Sequence, residues 1–440
     1  MTRLGAAFLA LVTTAPMALA SDIPASNMPV KAPPPAAVVE KTWSVTFASE
    51  ARYFAWRSDR GSPTNLEPPN TARGSGSQWY VPIALQIAGK PSDVVKVAFV
   101  VRGGWVRSQQ TTPGLSGAVE TWLDTVMSGT VTYLGINGFQ PFVALSVNAP
   151  TGRSALFGSA ANARMDGDLV EIGSFGEGWN IGPTVGASVP ITDALVVTGS
   201  VGYTWRDKFN RERSSSQPDP TIQAATSLNP GDVITGTLSA GYQGTEWAWS
   251  VTGTVSEETV TTENGAELYQ AGRRYVATAS IARNWPDQWG QTTLNGSYAH
   301  SNRNRVLFAF SAPALIYEIF NTNSDVHRVG IQHLFPVGQT FVFGPTASYL
   351  HRNNNSYDAG TLQFVPAKER WAVGGLARKQ VADNVTFNIR GEYIWTDEDE
   401  RIAPGGQLFS VLLNAFVPGS AVPVISSTGW MIAGGVNVTF

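Results

Sequence analysis

The chain of 440 residues contains no cysteine. Disulfides, thiol nucleophiles and cysteine metal sites are thereby excluded, so stability must come from packing and hydrogen bonding. Charge is scarce as well: Asp, Glu, Lys and Arg make up 14% of the residues and leave a net charge of -3. Such a composition gives no support to nucleic-acid binding. Beyond residue 20 no apolar run approaches the roughly 18 residues of a membrane-spanning helix, so a helical membrane protein does not fit. Strands can still cross a membrane.

What is present is glycine (44 residues), tryptophan (14) and aromatics at 10%, with a mean hydropathy near zero. A soluble protein with so few charges would be short of solvated surface. A transmembrane β-barrel resolves the tension, because its outer band is apolar, its interior polar, and the two average out.

Residues 1–20, MTRLGAAFLALVTTAPMALA, combine an early Arg3, a short apolar run and the small-residue box Ala18-Leu19-Ala20. This is the layout of a cleaved export signal, with the mature chain expected to start at Ser21. Residues 21–41 are rich in Pro and Ala without alternation and read as an extended periplasmic linker. From Thr42 to Phe440 apolar and polar residues alternate in segment after segment. In 383–395 the residues Val385, Phe387, Ile389, Tyr393 and Trp395 share one face, while Thr386, Asn388, Arg390 and Glu392 share the other.

Connections separate a membrane barrel from a soluble sandwich. Tight turn signals at 89–92, 135–138, 192–193, 243–244, 285–287, 336–338 and 382–384 alternate with long polar stretches near 58–75, 109–118, 151–175, 208–229, 260–270, 303–323, 353–365 and 398–426. Short periplasmic turns and long external loops are the asymmetry of outer-membrane barrels. The expected fold is all-β: a transmembrane antiparallel up-and-down β-barrel of about 16 strands, from 42–57 to 428–440, with both termini periplasmic. The weakest strand signals fall at 76–90, 119–134, 324–335 and 366–381, so 14 or 18 strands also fit. Rings near strand ends agree with interfacial belts, Trp43, Trp247, Trp285 and Phe440 at one end and Trp56, Trp105, Trp205, Tyr349 and Trp395 at the other.

The stretch Ala149-Pro150-Thr151-Gly152, followed by FGEGWNIGPTVGASVPITDALVVTGSVGYTWR at 175–206, resembles the meta-pathway phenol-degradation family of outer-membrane channels. There a PTG turn precedes a glycine-rich strand pair closing on a Gly-Tyr pair, here Gly202-Tyr203. The resemblance covers about sixty residues and rests on structural glycines and turns. It implies passage of small solutes, with a lean toward hydrophobic or aromatic compounds, and brings no catalytic residues. The proline-rich start is similar to the mature N-termini of alphaproteobacterial porins. A final Phe440 on an alternating strand is similar to the signal by which the barrel-assembly machinery recognises its clients.

No chemistry-bearing constellation emerges. His300 and Ser301 are adjacent, and neighbours in a strand point to opposite faces, which separates a base from its nucleophile. The acidic run 397–400 and the basic run 206–213 read as solvated loop ends that could also meet lipopolysaccharide. No enzyme activity, cofactor or metal is expected. Lys96, Arg102, Arg328, Arg378, Arg390 and Glu392 share the polar parity of their strands, and a mid-strand charge facing lipid costs about 2–4 kcal/mol. They are the pore-lining candidates, either as an electrostatic screen on passing solutes or as ion pairs bracing the wall. The expected function is an outer-membrane channel for small solutes in a Gram-negative cell, in contact with lipid and lipopolysaccharide; the alternative is a structural or surface-interaction barrel with a plugged lumen.

Deleting Phe440 is expected to lower the amount of folded, heat-modifiable protein in the membrane sharply while leaving its melting nearly unchanged. The ring itself contributes only about 1.5–3 kcal/mol by burial. Wild-type surface yield from the truncated chain would show that Phe440 is merely a strand end.

Overall fold

The computed structural model describes residues 43–58, 74–112, 115–165, 167, 170–212, 225–286, 289–308, 310–311, 313–419 and 421–440. The expected export signal at 1–20 and linker at 21–41 lie outside the described residues.

Sixteen antiparallel strands close into one barrel. They are β1 Trp43–Ser58, β2 Gly74–Ser92, β3 Val95–Thr112, β4 in two pieces Leu115–Trp122 and Thr125–Tyr133, β5 Gln140–Ala149, β6 Asn180–Pro190, β7 Leu195–Arg206 and β8 Val233–Gln243. The second half comprises β9 Trp247–Glu258, β10 Arg274–Asn284, β11 Gln291–Ser301, β12 Val326–Val337, β13 Phe341–Arg352, β14 Lys368–Ala382, β15 Val385–Glu398 and β16 Ile425–Thr439. Both pieces of β4 pair with β3, so the break at Leu123-Asp124 interrupts one strand and adds none. Each strand pairs with its sequence neighbours, and β16 returns to β1 in continuous register from Thr46↔Thr439 to Ser58↔Ser427. The seam is completed by Phe440 N–H to Val45 O at 2.9 Å and Val45 N–H to Phe440 O at 3.2 Å.

Period-two sequence becomes a two-faced wall. On β15 Phe387, Ile389 and Tyr393 are exposed, whereas Arg390 and Ile394 on the other parity are buried. The same exposed apolar parity runs around the barrel through Val131, Val143, Val185, Val201, Leu238, Val251, Leu294, Ile331, Val373 and Ile432. So continuous an apolar belt fits lipid, where only structures that pair every backbone group, helices or closed barrels, can span. Rings border the belt near the loop-bearing end: Tyr53 lies 4.8 Å from Trp79 and 5.1 Å from Trp430, and Tyr349 lies 4.3 Å from Trp371. Trp56 is not among them. It points inward at 2% exposure, and Tyr53 takes the outer position, because β1 carries aromatic residues on both faces near its end.

The wall departs from the expected outline in three places. β2 and β3 extend to Gly74 and Thr112, and the first turn sits at Asp93-Val94, just beyond an irregularity between Gly89 and Ser92. β4 begins at Leu115 and rises above the end of β5. The long connections are also structured. Segments Phe209–Glu212, Ala225–Asn229, Thr261–Glu263, Ala266–Gln270, Arg305–Val306 and Ile316–Tyr317 form a second, six-stranded sheet at the loop-bearing end. Phe308, Tyr357, Phe364 and Val411 bury one another in a small core built from three connections.

The closing seam gives a paired test. A Cβ on Gly435 would lie 2.5 Å from Asn388 Oδ1 and 2.9 Å from Ser49 O, while one on Gly434, on the opposite face, would meet nothing within 4 Å. Gly435→Val is expected to destabilise the barrel by about 1–3 kcal/mol through overpacking, and Gly434→Val to be tolerated. Thermal unfolding followed by the heat-modifiable gel shift checks both; equal effects would contradict the assigned faces.

Candidate functional site in the barrel interior

The interior is built from the inward parity of each strand and from one connection that folds into it. Residues 150–179, between β5 and β6, carry a short helical turn at Gly158–Ala163. Their apolar side chains are taken up by the wall. Leu156, Ala163 and Phe175 bury against Val106 and Val119 of β3 and β4. Met165 and Val170 bury against Phe54, Trp56, Ala372 and Ile394, with Met431 alongside. One connection therefore covers the loop-ward half of the inner face from β14 through the seam to β4.

Polar contacts fix its path. Gln78 donates through Nε2 to Ile172 O at 2.8 Å and accepts from Ile172 N–H at 3.1 Å, which satisfies a buried amide on both sides. Gln110 Nε2 donates to Arg164 O at 3.0 Å and also to Asn162 O. Trp56 Nε1–H points at Met165 Sδ, 2.9 Å away. Both ends of the connection hang on Asp124, at the break in β4. Its carboxylate accepts from Gly152 N–H at 2.9 Å, Glu177 N–H at 2.6 Å and Asn148 Nδ2 at 2.9 Å. Burial pushes the neighbouring Glu177 carboxyl up from its ordinary range, opposed by the Asn180 hydrogen bond and by Arg206, and Asp124 and Glu258 add to the rise.

Charges alternate where the connection meets the seam. Glu171 pairs with Arg52, and Arg52 with Glu50. Glu50 accepts from Asn388 Nδ2 at 2.8 Å and lies 3.8 Å from Arg390, which stands 3.9 Å from Glu392. The Arg52 guanidinium lies 5.5 Å from the centre of the Tyr80 ring. Of the candidates named from sequence, only Arg390 and Glu392 meet in this network. Lys96, Arg102, Arg328 and Arg378 share the inward parity but stand on other parts of the wall, opposite Thr132, Val126, Ser297 and Asn388 respectively. Glu50 and Arg52 were legible by parity but masked by the aromatic residues on both faces of β1. Glu171 carries no sequence signal, since its role is set by a fold-back that leaves no periodicity.

The opposite wall is different. From β6 to β11 the inward positions are largely hydroxyls and glycine, including Thr184, Ser200, Thr237, Ser239, Thr252, Thr254, Thr278 and Ser280, with no charge until the loop-bearing ends. These side chains are neither buried nor fully exposed, whereas Val106, Ser108, Ile394 and Ala433 beneath the inserted connection are almost wholly covered. Arg102, although inward, is exposed.

Other polar clusters lie at the loop-bearing ends of the strands. His300 is on the outer face of β11, with Nδ1 2.6 Å from Asp325 Oδ1, and Ser301 is on the inner face. Glu398 pairs with the buried Lys368 at 3.1 Å, and Arg206 with Glu258. Among the described residues no group of three or more His, Asp or Glu is placed to hold a metal ion.

No protein-family profile matches the chain, and no curated protein matches it in sequence. Among solved structures it is similar to a FadL homologue from Pseudomonas aeruginosa, at 9% identity and a TM-score of 0.39 over 90% of each chain. It is also similar to OpdO from Pseudomonas aeruginosa, at 10% identity and a TM-score of 0.40 over 90% of this chain and 97% of that one. An outer membrane channel from Pseudomonas putida F1 matches at 9% identity and a TM-score of 0.38, over 62% of this chain and 93% of that one. At these values the likeness carries nothing about solute or mechanism.

Asp124→Ala removes three hydrogen bonds to a carboxylate, each worth about 1.5–3 kcal/mol where a charged group is involved. The inserted connection is expected to become cleavable by protease between residues 151 and 178 in the folded protein, with the barrel still heat-modifiable. Unchanged resistance would show that the apolar seat alone holds it.

Proposed function

We propose that the chain is a diffusion channel of the Gram-negative outer membrane, admitting small solutes through a passage between the inserted connection and the hydroxyl-lined wall. The observation that carries this reading is the asymmetry of burial in the loop-ward half: there the inner face is covered from β14 to β4, whereas the inserted connection buries no apolar side chain against β6 to β11, where most inward hydroxyls stay partly accessible. Barrels of sixteen strands are wide enough to keep an aqueous lumen beside one folded-in segment. The function is transport without chemistry, and Lys96, Arg102, Arg328, Arg378, Arg390 and Glu392 act as lining groups, Arg390 and Glu392 bracing the wall and Arg102 facing solvent.

In this reading the long connections face outside, where they meet lipopolysaccharide, and the short turns and both termini face the periplasm. The chain is exported by cleavage after Ala20, so N-terminal sequencing of the membrane form begins at Ser21. Phe440, whose ring is 61% exposed at the end of the seam, is presented to the barrel-assembly machinery. The lean toward hydrophobic or aromatic solutes has little to stand on inside: the apolar patch of Phe54, Trp56 and Ile394 is already occupied by Met165 and Val170. A second reading, a plugged barrel that displays its loops, draws on the small apolar core that Phe308, Tyr357, Phe364 and Val411 form among the connections.

Planar-bilayer recording of purified, heat-modifiable protein distinguishes the two. Discrete conductance steps, enlarged when residues 153–176 are replaced by a short linker, are expected for the channel. Folded protein without steps in either form would establish the plugged barrel.

A further inference from the structure

The outward face changes character at the loop-bearing ends of β1 to β4. Lower down it carries Phe47, Ile83, Leu85 and Phe99; beyond the rings of Tyr53, Trp79 and Trp430 it becomes small and polar. Two cross-strand rows show the change. Arg57, Ser75, Thr111 and Ser116 lie side by side, and Ala55, Ser77, Gln109 and Ala118 form the next row toward the rings. Small side chains above bulky rings leave a hollow, a groove of about 590 Å³ lined by these two rows and Tyr53. Gln109 donates through Nε2 to Ser77 Oγ at 3.0 Å, which fixes its amide across the floor. At this height the other side of the wall is closed: Trp56, Ser108 and Gln110 are buried, and the backbone of Asn162 packs against Gly117. A molecule seated in the groove is therefore a neighbour in the membrane and not a passing solute.

We propose that this groove seats the phosphorylated inner-core saccharide of one lipopolysaccharide molecule in the surrounding leaflet. The proposal deepens the lipopolysaccharide contact of the reading above; it rests on the loop-bearing end facing outside and is independent of conduction. Position argues for it, because Tyr and Trp rings settle at the boundary between acyl chains and headgroups, and the sugars begin just beyond that boundary. Chemistry argues for it as well. Ser, Thr and Gln supply both donors and acceptors to sugar hydroxyls, and the Tyr53 and Trp79 rings supply an apolar body to sugar C–H groups. The charged outward positions of these four strands at this end are Arg57, Arg107 and Glu120, with Glu120 directly opposite Arg107. Across the seam, Asp397 of β15 accepts from Ser426 Oγ at 2.6 Å. Arg57, on the loop-bearing row and three strands from Glu120, is the group for a phosphate, which a guanidinium binds through its planar fork.

The chain has no cysteine, so a single Glu267→Cys in an exposed loop reports orientation. A membrane-impermeant maleimide is expected to label it on intact cells; labelling only after the cells are opened overturns the orientation and this assignment with it. Native mass spectrometry of heat-modifiable protein in detergent then follows titration with a rough-type lipopolysaccharide that carries its inner core and, separately, with lipid A. The inner-core form is expected to bind at least fivefold more tightly than lipid A. Ser75→Trp, which fills the groove, and Gln109→Ala, which removes its amide, should each abolish that preference. Arg273→Gln, an exposed position at the same end of the far wall, should keep it. Equal affinity of the wild-type protein for the two ligands overturns the saccharide assignment and leaves the orientation standing. A preference that survives both groove variants, or that is lost equally in Arg273→Gln, overturns the groove as its seat.

Discussion

Everything in this molecule depends on the backbone ladder that joins β16 to β1. In lipid each unpaired N–H or C=O costs several kcal/mol, so a sheet with two open edges could not rest in the membrane. The registered pairing from Thr46↔Thr439 to Ser58↔Ser427 removes both edges at once. It requires the two strands nearest the chain ends to meet, and it holds Asn388 and Gly435 so close that no Cβ fits between them. With the ring shut, parity acquires a meaning: one face of every strand is committed to lipid and the other to the interior.

The interior then follows from what that second face carries. Along β14, β15, β16, β1, β2 and β3 it combines charges with apolar side chains, and an apolar patch in a wet lumen needs cover. The connection between β5 and β6 supplies it, burying Met165, Val170, Leu156 and Phe175 against the wall and tying its ends to Asp124. Along β6 to β11 the hydroxyl face has little apolar surface to cover, and its polar groups pair with one another, as Ser188 does with Thr198 and Ser280 with Asn295, or stay partly accessible. The division between a covered wall and a wetted wall is thus a consequence of side-chain chemistry, and it is the physical basis of the proposed passage.

The strands and their number were legible because a period of two is a local signal that closure does not alter. Even the weak segments at 76–90 and 366–381 became long strands, β2 and β14, each hydrogen-bonded on both sides. Orientation was legible wherever only one parity is aromatic or branched. It failed at Trp56, since Tyr53, Phe54 and Trp56 give β1 apolar residues on both faces and only the presence of Met165 shows which are inside. The inserted connection had no signature: Gln78, Asp124 and Glu171 acquire their partners across 94, 53 and 119 residues of sequence. Gly117 illustrates the same point, because its missing Cβ leaves room for the backbone of Asn162, a contact that no window of sequence contains. The lining charges were half legible. Parity placed six of them, but their network needed the fold-back to be formed.

The central claim is a continuous aqueous path beside the inserted connection. Osmotic swelling of proteoliposomes with a graded series of neutral polyols tests it most directly, since uncharged probes report width alone. The account predicts rapid influx of the smallest polyols with a sharp size cut-off that rises when residues 153–176 are shortened. Swelling rates equal to those of empty liposomes for every polyol, with and without that segment, would contradict it.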